Sequence, residues 1–210
     1  MLSSYYTVRG FGQYTSFVKK SRFIASVGRV ENEEAAQAFI EKIKKEHNNA
    51  NHNCSAYMIG MHDEIQKASD DGEPSGTAGV PMLEVLKKRE LKDTIVVVTR
   101  YFGGIKLGAG GLIRAYGGAA TEGLDATGIV RCEPMQITKI TFDYTWLGKL
   151  ENELRSAGYT INDTHYLDQA GMDILVPIDQ TAPFKEWITN LTNGQAQIEE
   201  RETRYVEKEI

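Results

Sequence analysis

The stretch TRYFGGIKLGAGGLIRAYG, Thr99 to Gly117, holds five glycines within nine residues, Gly103, Gly104, Gly108, Gly110 and Gly111. A glycine inside a regular element costs about 0.5–1 kcal/mol relative to alanine, so the cluster signals tight turns or a partner that touches the main chain. Just upstream, Asp93 to Arg100 contains Ile95-Val96-Val97-Val98, the continuous branched run of a strand covered on both faces. Just downstream, Leu112, Ala115, Ala119 and Leu124 recur at helical spacing, which predicts a helix from about Ala109 to Ala126 packed on that strand. A glycine-rich loop between a buried strand and a helix is a setting in which free backbone N–H groups receive an anion. Arg100 enters from the strand end and Lys106 from the loop. Arg114 lies one turn into the helix and leans back toward its N-terminus. Arg100, Tyr101, Gly103, Gly104, Lys106, Gly108, Gly110, Gly111, Arg114 and Tyr116 are therefore read as a nucleic-acid or anion-binding wall. Tyr101 and Tyr116 are its candidate stacking surfaces, and Phe102 is read as core.

Upstream of this wall, Tyr5 to Arg9 and Phe17 to Val30 read as strands around the turn Arg9-Gly10-Phe11-Gly12. Asn32 is placed to cap a helix whose buried face carries Ala35, Ala36, Phe39, Ile40 and Ile43. Ser55 to Ile59 reads as a strand, Gly60 to Pro81 as a long loop with the core DDGEPSGTAGVP, and Pro81 as the first residue of a helix through Met82, Val85 and Leu86 that Lys87, Lys88 and Arg89 close. Asp70, Asp71 and Glu73 could bind Mg²⁺ with hydroxyls from Ser75 and Thr77, or shape the loop through Asx turns. No complete ligand set can be read, so a structured recognition loop is preferred. His52 and Cys54 share a strand face, but with no third partner in view they are read as structural.

Glu133-Pro134 marks a boundary, giving domains of residues 1–134 and 135–210. Beyond it come a strand at Met135 to Tyr144, a helix at Trp146 to Ala157, strands at Tyr159 to Tyr166 and Met172 to Pro177, a helix at Thr181 to Thr192 and a strand at Ala196 to Val206. The order βαββαβ is that of a ferredoxin-like domain. Trp146, Trp187 and Phe184 are read as helix-face core.

The chain has 210 residues, 41 % of them hydrophobic, and a net charge of −5. The charge divides into +1 for residues 1–134 and −6 for residues 135–210, so a polyanion is expected to meet the first part through a local patch. No apolar run approaches a membrane span, and MLSSYYTVRG lacks the apolar core of a secretory signal. Two cysteines, Cys54 and Cys132, form no framework. A cytoplasmic protein without membrane contact is expected.

Three motifs, HNCSAYMIG from His52, SDDGEPSGTAGVPML from Ser69 and VVVTRYFGGIKLGAGGLIRAYG from Val96, resemble the bacterial YigZ branch of the IMPACT family, and the resemblance covers the whole chain. It implies an α+β protein of two domains. The N-terminal one would have the left-handed βαβ fold of elongation factor G domain IV, and the C-terminal one the ferredoxin-like βαββαβ fold of its domain V. It implies a role close to translation, which eukaryotic members regulate under amino-acid stress. It also implies that His52, Asn53, Asp70, Asp71, Glu73, Pro74, Gly76 and Thr77 form a groove wall facing the glycine-rich stretch.

The expected function is a noncatalytic, translation-associated regulator that binds RNA or the ribosome through this groove and needs no cofactor. A translation-related protein is a further expected partner, and no DNA sequence specificity is expected. One alternative is a Mg²⁺-dependent enzyme acting on a nucleotide or phosphorylated small molecule, with the metal at Asp70, Asp71 and Glu73. LGAGGLIRA resembles the phosphate loops of small-molecule kinases in the same superfamily. The other alternative is a pure protein-interaction module.

Overall fold

A computed structural model describes residues 4–210, so residues 1–3 of the expected first domain and of MLSSYYTVRG lie outside the described residues. The chain divides into two compact units. Residues up to Cys132 together with Lys208–Ile210 make the first, and Glu133–Glu207 the second.

In the first unit, β1 (Tyr5–Val8) pairs antiparallel with the opening residues of β7 (Ile129–Phe142), from Tyr5↔Cys132 to Val8↔Ile129. The main sheet contains β2 (Gly12–Val18), β3 (Ser21–Arg29), β4 (His52–Ile59), β5 (Ile65–Ser69) and β6 (Thr94–Tyr101). Their spatial order is β2-β3-β6-β4-β5, with every neighbouring pair antiparallel. The central strand β6 is covered on both faces, as its branched run requires. Ile95 and Val97 join the core beneath α1 (Glu33–Glu46), and Val96 and Val98 join the core beneath α2 (Gly79–Lys88) and α3 (Ala109–Thr127). Asn32 caps α1, its Oδ1 accepting the Ala35 N–H at 2.8 Å.

Three expectations need correction. The segment Gly60 to Pro81 is not all loop, because β5 pairs with β4 from Ser55↔Ser69 to Ile59↔Ile65. Its sequence, IQKAS, is mostly exposed at the sheet edge and so shows no apolar alternation. Helix α2 begins at Gly79 rather than Pro81; a Cβ at Gly79 would lie 2.6 Å from the Ser69 backbone nitrogen, so this start needs a glycine. Helix α3 packs chiefly on β2 and β3 rather than β6, and Gly123 lets it approach, since a Cβ there would meet the Ala25 Cβ at 2.6 Å.

In the second unit, the rest of β7 is followed by α4 (Leu147–Ser156), β8 (Thr160–Tyr166), β9 (Ala170–Pro177), α5 (Thr181–Leu191) and β10 (Gln197–Glu209). The sheet order β10-β7-β9-β8 is the ferredoxin-like arrangement. Ile140, Phe142, Leu150, Leu154, Ile174, Phe184 and Ile188 form the core between sheet and helices. The strand expected from Met135 starts earlier, at Ile129, and runs through Pro134 without a break. Together the two units make a mixed α+β chain of two domains.

Candidate nucleic-acid interface

Beyond β6 the chain makes a short loop before α3, and the glycines there do two different jobs. Gly103 is a packing glycine. A Cβ on it would lie 2.0 Å from the Lys20 carbonyl carbon, so the loop presses against the β2–β3 hairpin. Gly104 and Gly108 face open space and hold φ of 84° and 70°, which favour glycine. Gly108 precedes α3 without a side-chain cap, and no acidic residue occupies the first turn. The first bond into the helix runs from the Leu112 N–H to the Gly108 carbonyl, so Ala109, Gly110 and Gly111 supply the unsatisfied donors of the helix end. A Cβ on Gly110 would lie 3.7 Å from Arg114 Nη1, so Arg114 does lean back over the first turn. One on Gly111 would lie 3.1 Å from the Leu107 Cβ.

A groove of about 380 Å³ opens beside this helix end in the first unit. Pro74, Leu107 and Leu112 supply apolar lining, Phe102 and Lys106 are exposed, and Glu73 and Arg100 are its buried polar groups. The structure therefore brings part of DDGEPSGTAG and part of RYFGGIKLGAGGLIR onto one groove.

Arg100 is placed differently from the expected open cation. Its residue is only 6 % exposed, and its Nη1 donates to Glu73 Oε1 at 2.6 Å. The Tyr116 hydroxyl donates to the same oxygen at 2.7 Å. Register explains the meeting, because Phe23, Arg100 and His52 are cross-strand neighbours on the face that carries α3. Arg100 Nη2 lies 3.4 Å from Ser21 Oγ, whereas its buried Nε has no hydrogen-bond partner.

Tyr116 cannot be a stacking surface. It is fully buried, edge-on to Phe23 with centroids 5.3 Å apart. Burial, with Cys54 and Glu73 adding to it, pushes its hydroxyl well above the ordinary phenol range. Tyr101 is half-buried, with the Arg22 guanidinium 4.3 Å from its ring centroid and its hydroxyl 3.0 Å from His47 Nδ1. The exposed ring is that of Phe102, 46 % exposed and not part of the core expected for it. Its place beside two glycines, past the last residue of β6, was the available signal.

The acidic loop is organised from within. Asp70 Oδ1 accepts the Ala78 and Gly79 N–H groups at 3.0 and 2.9 Å, and Oδ2 accepts that of Gly76 at 2.8 Å, so Asp70 caps α2 from a distance. Burial alone would raise its pKa, but the backbone N–H groups of Gly76, Gly79 and Ala78 outweigh that and lower it. Asp71 Oδ1 accepts from Lys44 at 2.9 Å and Oδ2 from the Asn53 N–H at 2.6 Å. Thr77 bonds back to the Pro74 carbonyl at 2.6 Å. His52 Nδ1 donates to the Asp71 carbonyl at 2.9 Å, while its Nε2 lies 3.9 Å from Glu73 Oε2. The Asn53 amide oxygen accepts from Thr99 at 2.7 Å. All three carboxylates that might have held Mg²⁺ thus have protein donors, and no cluster of three or more metal-ligating side chains occurs among the described residues. Burial pushes the Cys54 thiol up to about 12, and its Sγ donates to the Asp70 carbonyl at 2.9 Å. A thiol so held is not a nucleophile at neutral pH.

Free positive charge lies around the loop and the start of α3. Lys106 and Arg114 are exposed and, among the described residues, form no ion pair. Lys19 and Lys20 are also exposed, on the hairpin turn that abuts Gly103. Sequence spacing could not find these two, since they lie more than eighty residues upstream and arrive through sheet pairing.

No helix among the described residues is long and apolar enough to cross a membrane. Residues 19–124 match the Impact N-terminal domain, and residues 140–195 match a domain of unknown function, DUF1949. The chain is 58 % identical over 210 residues to the IMPACT family member YvyE of Bacillus subtilis, covering all of this chain and 97 % of that one. It is 36 % identical over 183 residues to the IMPACT family member YigZ of Escherichia coli, covering 86 % and 90 % of the two chains. A crystal structure described as that of a hypothetical protein superposes with a TM-score of 0.61 at 32 % identity, covering 96 % of this chain and 99 % of its own. These matches span both structural units, and the chain belongs to the IMPACT family.

Proposed function

We propose that this protein is a translation-related regulator of the cytoplasm that binds RNA, free or on the ribosome, by seating a backbone phosphate at the N-terminus of α3. The observation that carries the reading is the uncapped start of that helix, which opens beside a groove lined by the free Lys106, with the exposed Arg114 leaning over the first turn. Unsatisfied N–H groups and the positive end of the helix dipole favour a phosphate there. Gly110, without a side chain, lets the phosphate come close to the main chain. The exposed cations add attraction that is independent of RNA sequence. Family membership supports the link to translation. The proposal includes no resident cofactor, because a metal at Asp70, Asp71 and Glu73 would have to displace the donors that shape the loop.

Co-sedimentation with ribosomes and with total RNA tests this. Binding is expected to weaken steeply between 50 and 200 mM salt and to fall in the Lys106→Ala/Arg114→Ala variant. Association that survives nuclease treatment and is unchanged in the variant would overturn the proposal and point to a protein contact.

A further inference from the structure

Phe102 is an exposed aromatic held on a fixed backbone. Its own N–H donates to Asn51 Oδ1 at 2.8 Å, and the next N–H, that of Gly103, donates to Ser21 Oγ at 3.2 Å. Loop residues bound on both sides in this way do not sample freely, so the 46 % exposure of the ring is built into the fold. The Arg100 guanidinium carbon lies 5.6 Å from the ring centroid, occupying one face. The ring lines the same groove as Gly108 and Ala109 at the start of α3.

Resting on the RNA-binding reading of the same groove, we infer that it takes an unpaired nucleotide of single-stranded RNA, with the base stacked on Phe102 and the adjoining phosphate on the helix end. Two observations point independently to such a ligand. One is the apolar ring beside an uncapped helix N-terminus, the pairing of a π surface with anion donors that a nucleotide matches and a bare phosphate does not use. The other is Arg100 Nε, a donor without a partner on a side chain more than nine-tenths buried that lines the groove. At about 380 Å³ the groove is in the size range of small-ligand pockets, enough for one nucleotide and too small for a duplex. A base inside a duplex is stacked on both faces and cannot reach the ring, whereas an unpaired base can turn out onto it.

Fluorescence anisotropy of the full-length protein with a labelled single-stranded 12-mer RNA and with the same strand in a duplex tests this. The single strand is expected to bind more tightly. Phe102→Ala is expected to weaken single-strand binding about 5- to 150-fold with little effect on the duplex, and Phe102→Trp to restore it. Because the ring is exposed, Phe102→Ala should melt near the wild-type temperature, so lost binding cannot be put down to unfolding. Equal affinity for the two RNAs together with a neutral Phe102→Ala would overturn the base-stacking inference and leave phosphate binding standing. Failure of the wild-type protein to bind either RNA would overturn the RNA reading, and this inference with it.

Discussion

Replacing Arg100 by alanine should act on the fold before it acts on binding. In the first unit its guanidinium is 6 % exposed and meets Glu73 Oε1 at 2.6 Å, and Glu73 is itself 9 % exposed. Removing one partner of a buried pair strands the other charge and typically costs about 3–5 kcal/mol. Here Glu73 keeps the Tyr116 hydroxyl at 2.7 Å, which places the cost near the lower end, about 3 kcal/mol. For a unit of this size that corresponds to a fall of roughly 10 °C in melting temperature. Glu73→Gln keeps the shape and both hydrogen-bonding partners while removing the charge, so its loss should be smaller, about 1–3 kcal/mol. Calorimetry is the suitable assay, because both tryptophans, Trp146 and Trp187, belong to the second unit and report poorly on the first. An Arg100→Ala protein that melts at the wild-type temperature yet loses RNA binding by a hundredfold would refute this reasoning. It would make Arg100 a ligand contact with no part in holding the fold.

Gly110→Ala separates fold from function in the opposite direction. A methyl there has room, 3.7 Å from Arg114 Nη1, and should stabilise α3 by about 0.5–1 kcal/mol while obstructing the phosphate, so melting temperature rises as RNA affinity falls. Gly103→Ala must displace the Lys20 backbone and should lower the melting temperature, which a thermal scan reads directly. Asp70 has a pKa below its unfolded value of 3.8, so its contribution is present above that value and is lost as pH falls through the folded pKa. Acid unfolding followed by circular dichroism should show a weaker dependence below about pH 4 in Asp70→Asn, with a cost of about 1–2 kcal/mol at pH 7 from the weakened cap of α2. Cys54, its thiol pushed up to about 12 by burial, should resist iodoacetamide at pH 8 in the native protein and react on unfolding, as mass spectrometry would show.

Much of this fold is legible in the sequence because its central elements carry strong local signals. The four branched residues of β6, the Asn32 cap and the helical stripe of α1 each arise from neighbours along the chain. Strand β5 was invisible for the converse reason. IQKAS lies at an edge, and only its register with β4 makes it a strand. The site divides in the same way. The glycine loop and the uncapped start of α3 could be read from spacing, whereas the roles of the charged and aromatic residues depended on partners far away in sequence. Glu73 lies 27 residues from Arg100 and 43 from Tyr116, and their convergence turns an expected cation and an expected stacking ring into buried structure. The exposed roles pass to Phe102 and Lys106, in the loop past the last residue of β6, and to Arg114, exposed in α3.

The central claim is that a phosphate is held at the start of α3 by donors and by the exposed cations Lys106 and Arg114. Its most direct test is the salt dependence of single-stranded RNA affinity in the wild-type protein and in Lys106→Ala/Arg114→Ala. Each cation that neutralises a phosphate of a single strand contributes about 0.7 to the slope of log K against log salt. Loss of both should make the slope shallower by about 1.4 and weaken binding most at low salt. Identical slopes and affinities in the two proteins would contradict the claim.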